Sequence, residues 1–276
     1  MIRFDNQVIL ITGAGRGLGA AYARLIGSRG GQVVVHDAGV SRSGGGSDAS
    51  PATQVANEIL ENGGNASVET QNLATKEGCE TLIHSVLSRH GRIDGLIHSA
   101  GIVFYKTIGN TTDEEWDIQR KISIDAPFWL CRAVWPIMEW QKYGRIVLST
   151  SGYGLIPIKN NDVTAYGVGK AAQFGLMNGL AGEGMEKNIM ANAISPVAST
   201  RIFRAEVDPD EFSPENVAPA VAVLISEQCP FSGKVVRAAS GKFSVAELKS
   251  EPEFDLGHFP SPEQVLDRLR NNQSSN

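Results

Sequence analysis

Short apolar runs alternate with longer stretches of helical spacing along most of this chain. Residues 7–12 (QVILIT) and 32–36 (QVVVH) are continuous apolar runs, the pattern of strands buried on both faces. Helices are expected over 17–27 and 51–62. A weaker strand at 66–70 follows, then a helix at 75–90 and a strand at 92–98 (RIDGLIH). One long helical region covers 112–139. Beyond it come a strand at 144–149 (GRIVLS), a helix at 164–186, a strand at 189–194, a helix at about 214–226 and a strand at 233–237 (GKVVR). Seven strands with intervening helices predict an α/β fold: a doubly wound seven-stranded parallel sheet in a Rossmann-like single domain. Residues 38–50 (AGVSRSGGGSDAS) are too polar and Gly/Ser-rich for anything but a loop.

Residues 1–250 form the expected domain, and 251–276 read as a tail. Pro252, Pro260 and Pro262 punctuate it, and a short helix follows. Ser261 can cap that helix, with Pro262 at its first position and Gln264 completing a capping box. Its apolar stripe suits docking on the body or on a neighbouring subunit. The last six residues, NNQSSN, are expected to be disordered.

Composition narrows the function. A length of 276 residues suits one large α/β domain, and 42% hydrophobic with 20% charged residues is an ordinary globular balance. A net charge of −5 without a basic patch argues against nucleic acid as partner. No apolar run is long enough to span a bilayer. Residues 1–6 run straight into a strand pattern, unlike a signal peptide. Cys79, Cys131 and Cys229 are odd in number and widely spaced, which fits a reducing compartment, and no Cys/His spacing suits a metal. No peroxisomal signal is legible in the terminal Ser-Ser-Asn, so a cytoplasmic location is expected.

The first candidate chemistry lies where the first strand runs into Thr12-Gly13-Ala14-Gly15-Arg16-Gly17-Leu18-Gly19 and then a helix. Gly13 suits the tight turn, Gly17 the approach of backbone to a pyrophosphate, and Gly19 close helix–strand packing. The helix start adds free N–H groups and positive dipole. Asp37 ends the second strand, where a carboxylate can accept from both hydroxyls of an adenosine ribose and repel a 2′-phosphate. That favours NAD over NADP, against which Arg16 and Arg42 stand as possible phosphate partners.

The second candidate is Tyr166 with Lys170, four residues apart at the start of a helix and so on one face. An ammonium beside a phenol favours phenolate, which would suit a tyrosine for proton transfer near neutral pH. Ser149-Thr150-Ser151 closes the preceding strand, at the sheet end where open α/β folds hold ligands, and a serine there could bond a substrate oxygen. No His/Asp pairing makes these serines nucleophiles.

With Thr12–Gly19, Asp37, His98-Ser99-Ala100-Gly101, Ser151 and Tyr166-Gly-Val-Gly-Lys170 in place, residues 3–245 resemble the short-chain dehydrogenase/reductase family. Within it, Val33-Val-Val-His-Asp37, Gly91-Arg-Ile-Asp94, Glu115-Trp-Asp-Ile118, Gln141-Lys-Tyr-Gly-Arg-Ile146 and Val217-Ala-Pro219 are similar to the (3R)-hydroxyacyl-CoA dehydrogenase units of type 2 multifunctional enzymes. The resemblance implies that Tyr166 moves the proton, Ser151 holds the substrate oxygen, and Lys170 lowers the tyrosine pKa and holds the nicotinamide ribose. It implies NAD contacts at Gly13, Arg16, Gly17, Leu18, Gly19 and Asp37, at Asn72 and Leu73 beside adenine, and at Ser99, Ala100 and Gly101. Pro196 and Val197, after the sixth strand, would border the nicotinamide, with Thr200 at its amide. Departures from the family pattern are His98-Ser99 for Asn-Asn, Asn72 for Asp, and Ser123 for the asparagine of the proton relay.

The segment from Pro196 to about 214 is short and charged. It suits an open entrance for a bulky secondary alcohol or ketone, a hydroxyacyl-CoA or a hydroxysteroid- or terpenoid-like ring, with Arg201 and Arg204 available to CoA phosphates. A solvated loop is the alternative. Trp116, Phe128, Trp129, Val134 and Trp135 are either core or the surface of a homodimer or homotetramer. Two rival functions stay open: dehydration or epimerisation on the same scaffold, and a dinucleotide-binding regulator without turnover.

Overall fold

The computed structural model describes residues 1–40, 46–159, 162–199, 208–247 and 253–273. The chain divides into two compact units, Met1–Ala246 and Glu247–Asn276. In the first, strands β1 (Val8–Thr12), β2 (Gln32–His36), β3 (Asn65–Glu69), β4 (Gly95–His98), β5 (Gly144–Ser149), β6 (Ile189–Val197), β7 (Val235–Ala239) and β8 (Lys242–Ala246) form one sheet in the order 3-2-1-4-5-6-7-8. Neighbours from β3 to β7 run parallel, and β7–β8 is antiparallel. The eighth strand exceeds the seven expected. Ser240 (φ 49°) and Gly241 (φ 70°) make a two-residue left-handed turn, the geometry that folds a strand back on its predecessor.

Because side chains alternate along buried strands, each strand feeds two cores. Ile9, Ile11, Val33, Val35, Ile97, Val147 and Ile194 face one core, with helices α1 (Gly17–Ser28) and α2 (Ser50–Glu61). Leu10, Val34, Leu96, Ile146 and Leu148 face the other, beneath α3 (Lys76–His90). No helix among the described residues is long and apolar enough to cross a membrane.

The long helix expected over 112–139 is interrupted. It consists of α4 (Asp113–Arg120), a π-helical turn over Lys121–Asp125, and α5 (Ala126–Gln141). Pro127 supplies the reason: it has no N–H for the carbonyl of Ser123, and its ring crowds that oxygen. The freed carbonyl accepts instead from Gln173 Nε2 at 3.2 Å. Gln173 lies on α6 (Thr164–Gly184), and the next helix, α7 (Ala218–Leu224), is shorter than expected because a 3-10 turn over Pro214–Asn216 precedes it.

β6 also outruns its expected end, taking in Pro196 and Val197, which pair with Ala238 and Ala239. A proline is tolerated there because β5 has already ended opposite Ile194, so no ladder bond is asked of its nitrogen. Val134 is fully buried in the core and so is withdrawn from the candidate subunit surface, whereas Trp116 and Phe128 are exposed.

In the second unit, α8 (Pro262–Gln273) begins at a capping box: Gln264 N–H donates to Ser261 Oγ (3.3 Å) and Ser261 N–H to Gln264 Oε1 (2.8 Å). Helical backbone therefore extends into the segment expected to be disordered, since a capped helix gains one hydrogen bond per added residue.

Candidate active site

Everything of chemical interest gathers at the C-terminal ends of the parallel strands, around the β1/β4 boundary where the strand order reverses direction. The loop after β1 is shaped by sterics. Gly13 has φ 68°, and a Cβ on it would lie 2.7 Å from the backbone of Ala100. A Cβ on Gly19 would overlap the carbonyl oxygen of Gly13. Gly17, at φ 52°, opens α1, whose start carries no side-chain cap. Its first N–H groups are thus left to a ligand, and an anion is what they suit. Leu18 is partly buried, and Arg16 is exposed beside the loop.

Asp37 is buried at the end of β2. Its Oδ2 accepts from the Gly15 N–H (3.0 Å) and its Oδ1 from the Gly39 N–H (2.8 Å). Each oxygen keeps a further lone pair, so the carboxylate can hold the loop and still accept from a ribose. Together Asp37, Asn72, Leu73, Ala100, Gly101 and Gly13 line one cavity. Ser99, just before Ala100, donates its N–H to the Thr12 carbonyl at 3.1 Å. These donors, this acid and this glycine-lined approach fit a dinucleotide. Arg42, Thr200, Arg201 and Arg204 lie outside the described residues.

A second cavity of about 610 Å³ holds Ser151, Tyr166, Pro196 and Val197 on its walls, with Tyr105 and Tyr153. Ser151 begins the turn after β5, and its hydroxyl accepts from the Tyr153 N–H at 3.4 Å. The Tyr153 and Tyr166 rings meet edge-on, centroids 6.3 Å apart. Beneath them, Lys170 is buried. Its Nζ donates to the Ser149 carbonyl at 2.6 Å and sits 5.5 Å from the centre of the Tyr166 ring, while its own carbonyl accepts from Thr150 Oγ1 at 2.8 Å. Helix α6 is thereby clamped to the end of β5.

The electrostatics differ from the sequence expectation. Burial pushes the Tyr166 phenol up to about 12, with the neighbouring Ser151 hydroxyl working the other way. Burial also pulls Lys170 down to about 8. The ammonium is spent on a carbonyl and is itself desolvated, so it does not offset the cost of burying a phenolate.

Ser123 stands apart from the other candidates. Fully buried in the π-helical turn, it lies on the wall of neither cavity. Its hydroxyl accepts from Gln119 Nε2 at 2.6 Å, and a Cβ on Gly169 would lie 2.5 Å from its own Cβ. Two positioning roles, those of Gln173 and His98, escaped the sequence reading. Gln173 takes the Ser149 N–H on Oε1 (3.2 Å) and so ties β5 to the π turn. His98 is buried, bonded through Nδ1 to Thr12 Oγ1 (2.9 Å), and its carbonyl accepts from Ser149 Oγ (2.8 Å). Burial, aided by the charge of Lys170, holds this imidazole down at about 3, so it is neutral at any working pH. Pro127 was the one legible signal for this arrangement; the partners of Gln173 and His98 come from other elements.

A family model described as short chain dehydrogenase matches residues 7–210. A short-chain type dehydrogenase/reductase of Mycobacterium tuberculosis is 36% identical over 266 residues, covering 95% of this chain and 91% of that protein. Peroxisomal multifunctional enzyme type 2 of Mus musculus is 37% identical over 243 residues, 87% of this chain but only 32% of that enzyme. Among solved structures, a short chain dehydrogenase from Mycobacterium avium superposes with a TM-score of 0.84 at 31% identity, covering 97% and 94% of the two chains. A metagenomic short-chain oxidoreductase in complex with NADP gives 0.71 at 29% identity, covering 83% and 95%.

Proposed function

The chain belongs to the short-chain dehydrogenase/reductase family, and from that premise we propose that it interconverts a secondary alcohol and its ketone with NAD as the hydride carrier. The observation that carries the reading is the shared cavity wall of Ser151 and Tyr166, floored by Lys170. When bound, the nicotinamide would supply the hydride acceptor or donor.

Tyr166 exchanges a proton with the substrate oxygen, taking it on oxidation and giving it on reduction. Ser151 holds that oxygen against the phenol. Lys170, anchored on the Ser149 carbonyl, fixes the first turn of α6 and so the aim of the phenol. Gly13, Gly17 and the uncapped start of α1 would hold the pyrophosphate, with Arg16, Leu18 and Gly19 around it. Asp37 would read the adenosine ribose; Asn72, Leu73, Ser99, Ala100 and Gly101 would flank the adenosine; Pro196 and Val197 would border the nicotinamide. The preference for NAD rests on Asp37: a 2′-phosphate would be brought against a buried carboxylate whose two oxygens already hold the loop.

A bulky or thioester-bearing alcohol suits the roomy cavity, and a (3R)-hydroxyacyl-CoA is favoured by similarity to the type 2 multifunctional enzyme. The expected compartment remains the cytoplasm, in contrast to relatives with peroxisomal names. The test is NADH formation from NAD with (3R)-hydroxybutyryl-CoA, its (3S) epimer and a bulky cyclic alcohol. Tyr166→Phe should cut turnover by about a hundredfold or more while NADH still binds. Full activity in that variant would remove the tyrosine from proton transfer.

A further inference from the structure

Among its described lining residues, the cavity that holds Ser151 and Tyr166 carries charge of one sign: none is acidic, and two, Arg237 and Lys242, are basic. This stands out in a chain of 30 acidic and 25 basic residues. Both cations are exposed, and neither makes an ion pair or side-chain hydrogen bond among the described residues. Many other cations of the protein are matched: Arg3 with Asp5, Arg24 with Glu58, Arg92 with Asp94, Lys187 with Glu139.

Their placement follows from strand register. Arg237 on β7 pairs with Ser195 on β6 and with Ser244 on β8. Lys242, two residues before Ser244, lies on the same face and pairs with Ala239. A guanidinium flanked by two serine residues therefore sits one step from an ammonium, at the sheet end where the reacting groups are. β8 contributes its first residue to this arrangement, and the turn at Ser240 and Gly241 is what brings that residue back to the end of β7.

We propose that Arg237 and Lys242 form an anion subsite, which receives a phosphate or carboxylate carried by the alcohol substrate and so selects anionic substrates. The proposal rests on the hydride-transfer reading for its reacting end. Arginine offers a planar fork matched to carboxylate or phosphate oxygens, and lysine adds a point charge with three rotatable donors. Because both are exposed, their pull is screened by salt and acts strongly on encounter and KM.

The experiment uses the full chain and three alcohols with one acyl group: (3R)-hydroxybutyryl-CoA, the neutral N-acetylcysteamine thioester of the same acid, and free (3R)-hydroxybutyrate. Arg237→Gln with Lys242→Gln should lower kcat/KM for an anionic substrate by about ten- to a hundredfold, mainly through KM. The neutral thioester, which lacks the group being read, should change by less than about twofold, and raised salt in the unmutated enzyme should mimic the difference. A loss confined to the CoA thioester identifies phosphate as the anion; a loss confined to free hydroxybutyrate identifies carboxylate. Equal losses for neutral and anionic substrates, or no loss for either anion, would overturn the subsite. A second readout separates it from the hydride-transfer reading: calorimetric binding of CoA to the NADH-loaded protein. If no alcohol is turned over but CoA binding weakens in the double variant, the subsite stands and the reaction falls. CoA binding that is absent, or indifferent to both substitutions, together with no loss on free hydroxybutyrate, overturns the subsite.

Discussion

At the scale of single residues, the site is governed by what burial does to charge. Tyr166 is driven toward its neutral form, up to about 12, and the neutral phenol is the acid that ketone reduction needs. The phenolate is the base for alcohol oxidation, and its fraction grows about tenfold per pH unit below that pKa. Alcohol oxidation should therefore climb with pH from about 6 to 8, while ketone reduction stays level over the same window. Initial rates in both directions would show this; a level oxidation profile would mean that another group takes the proton. Asp37 carries the cofactor prediction. Replacing it with alanine should raise kcat/KM for NADP relative to NAD by about tenfold or more, since the repulsion of a 2′-phosphate disappears with the carboxylate. The same change removes the acceptor of two loop N–H groups, so a stability loss of about 1–2 kcal/mol should accompany it. An unchanged cofactor ratio would show that Asp37 serves the loop alone.

Elements set how those residues meet. The π-helical turn at Lys121–Asp125 exists because Pro127 cannot bond back to Ser123, and Gln173 fills the gap from another helix. Tyr166, Lys170 and Gln173 all project from α6, so one helix carries the proposed proton-transfer group and two of the bonds that fix it to β5. Ser123 occupies a space already bounded by Gly169 and Gln119. On sequence grounds alone, asparagine there should be neutral or beneficial for the relay. The packing reverses that expectation: Ser123→Asn should cost about 1–3 kcal/mol by overfilling a closed space, read as a lower Tm. An unaltered Tm with faster turnover would return the residue to the relay.

For the molecule as a whole, the expectation is self-association. Trp116 and Phe128 are exposed large apolar side chains on α4 and α5, with Trp140 further along. We expect a homodimer or homotetramer by light scattering, and the double substitution Trp116→Ser with Phe128→Ser should shift the mass toward the monomer while leaving the fold intact. A monomeric unmutated chain would assign that surface to solvent.

The sequence by itself determined the order of elements, the parallel sheet and the phosphate loop, because each is written in local spacing. Continuous Val/Ile runs mean strands buried on both faces, and glycines placed between a strand and a helix mean a close backbone approach. Tyr166 and Lys170 were equally legible, since four residues on a helix is one face. Other features depended on neighbours distant in the chain. β8 was missed because its five residues alternate too briefly to stand out from a loop, although Ser240-Gly241 was a turn signal. Pro196 joins a strand only because β5 stops beside it. Whether the lysine would lower the tyrosine pKa depended on where its Nζ points and on how dry the site is, and neither is encoded in spacing. Arg237 and Lys242 reach the wall that holds Tyr166 only through the sheet order and the β7–β8 turn. Local pattern fixes which elements form; desolvation and long-range register, which exist only once the chain is folded, decide what the groups on them can do.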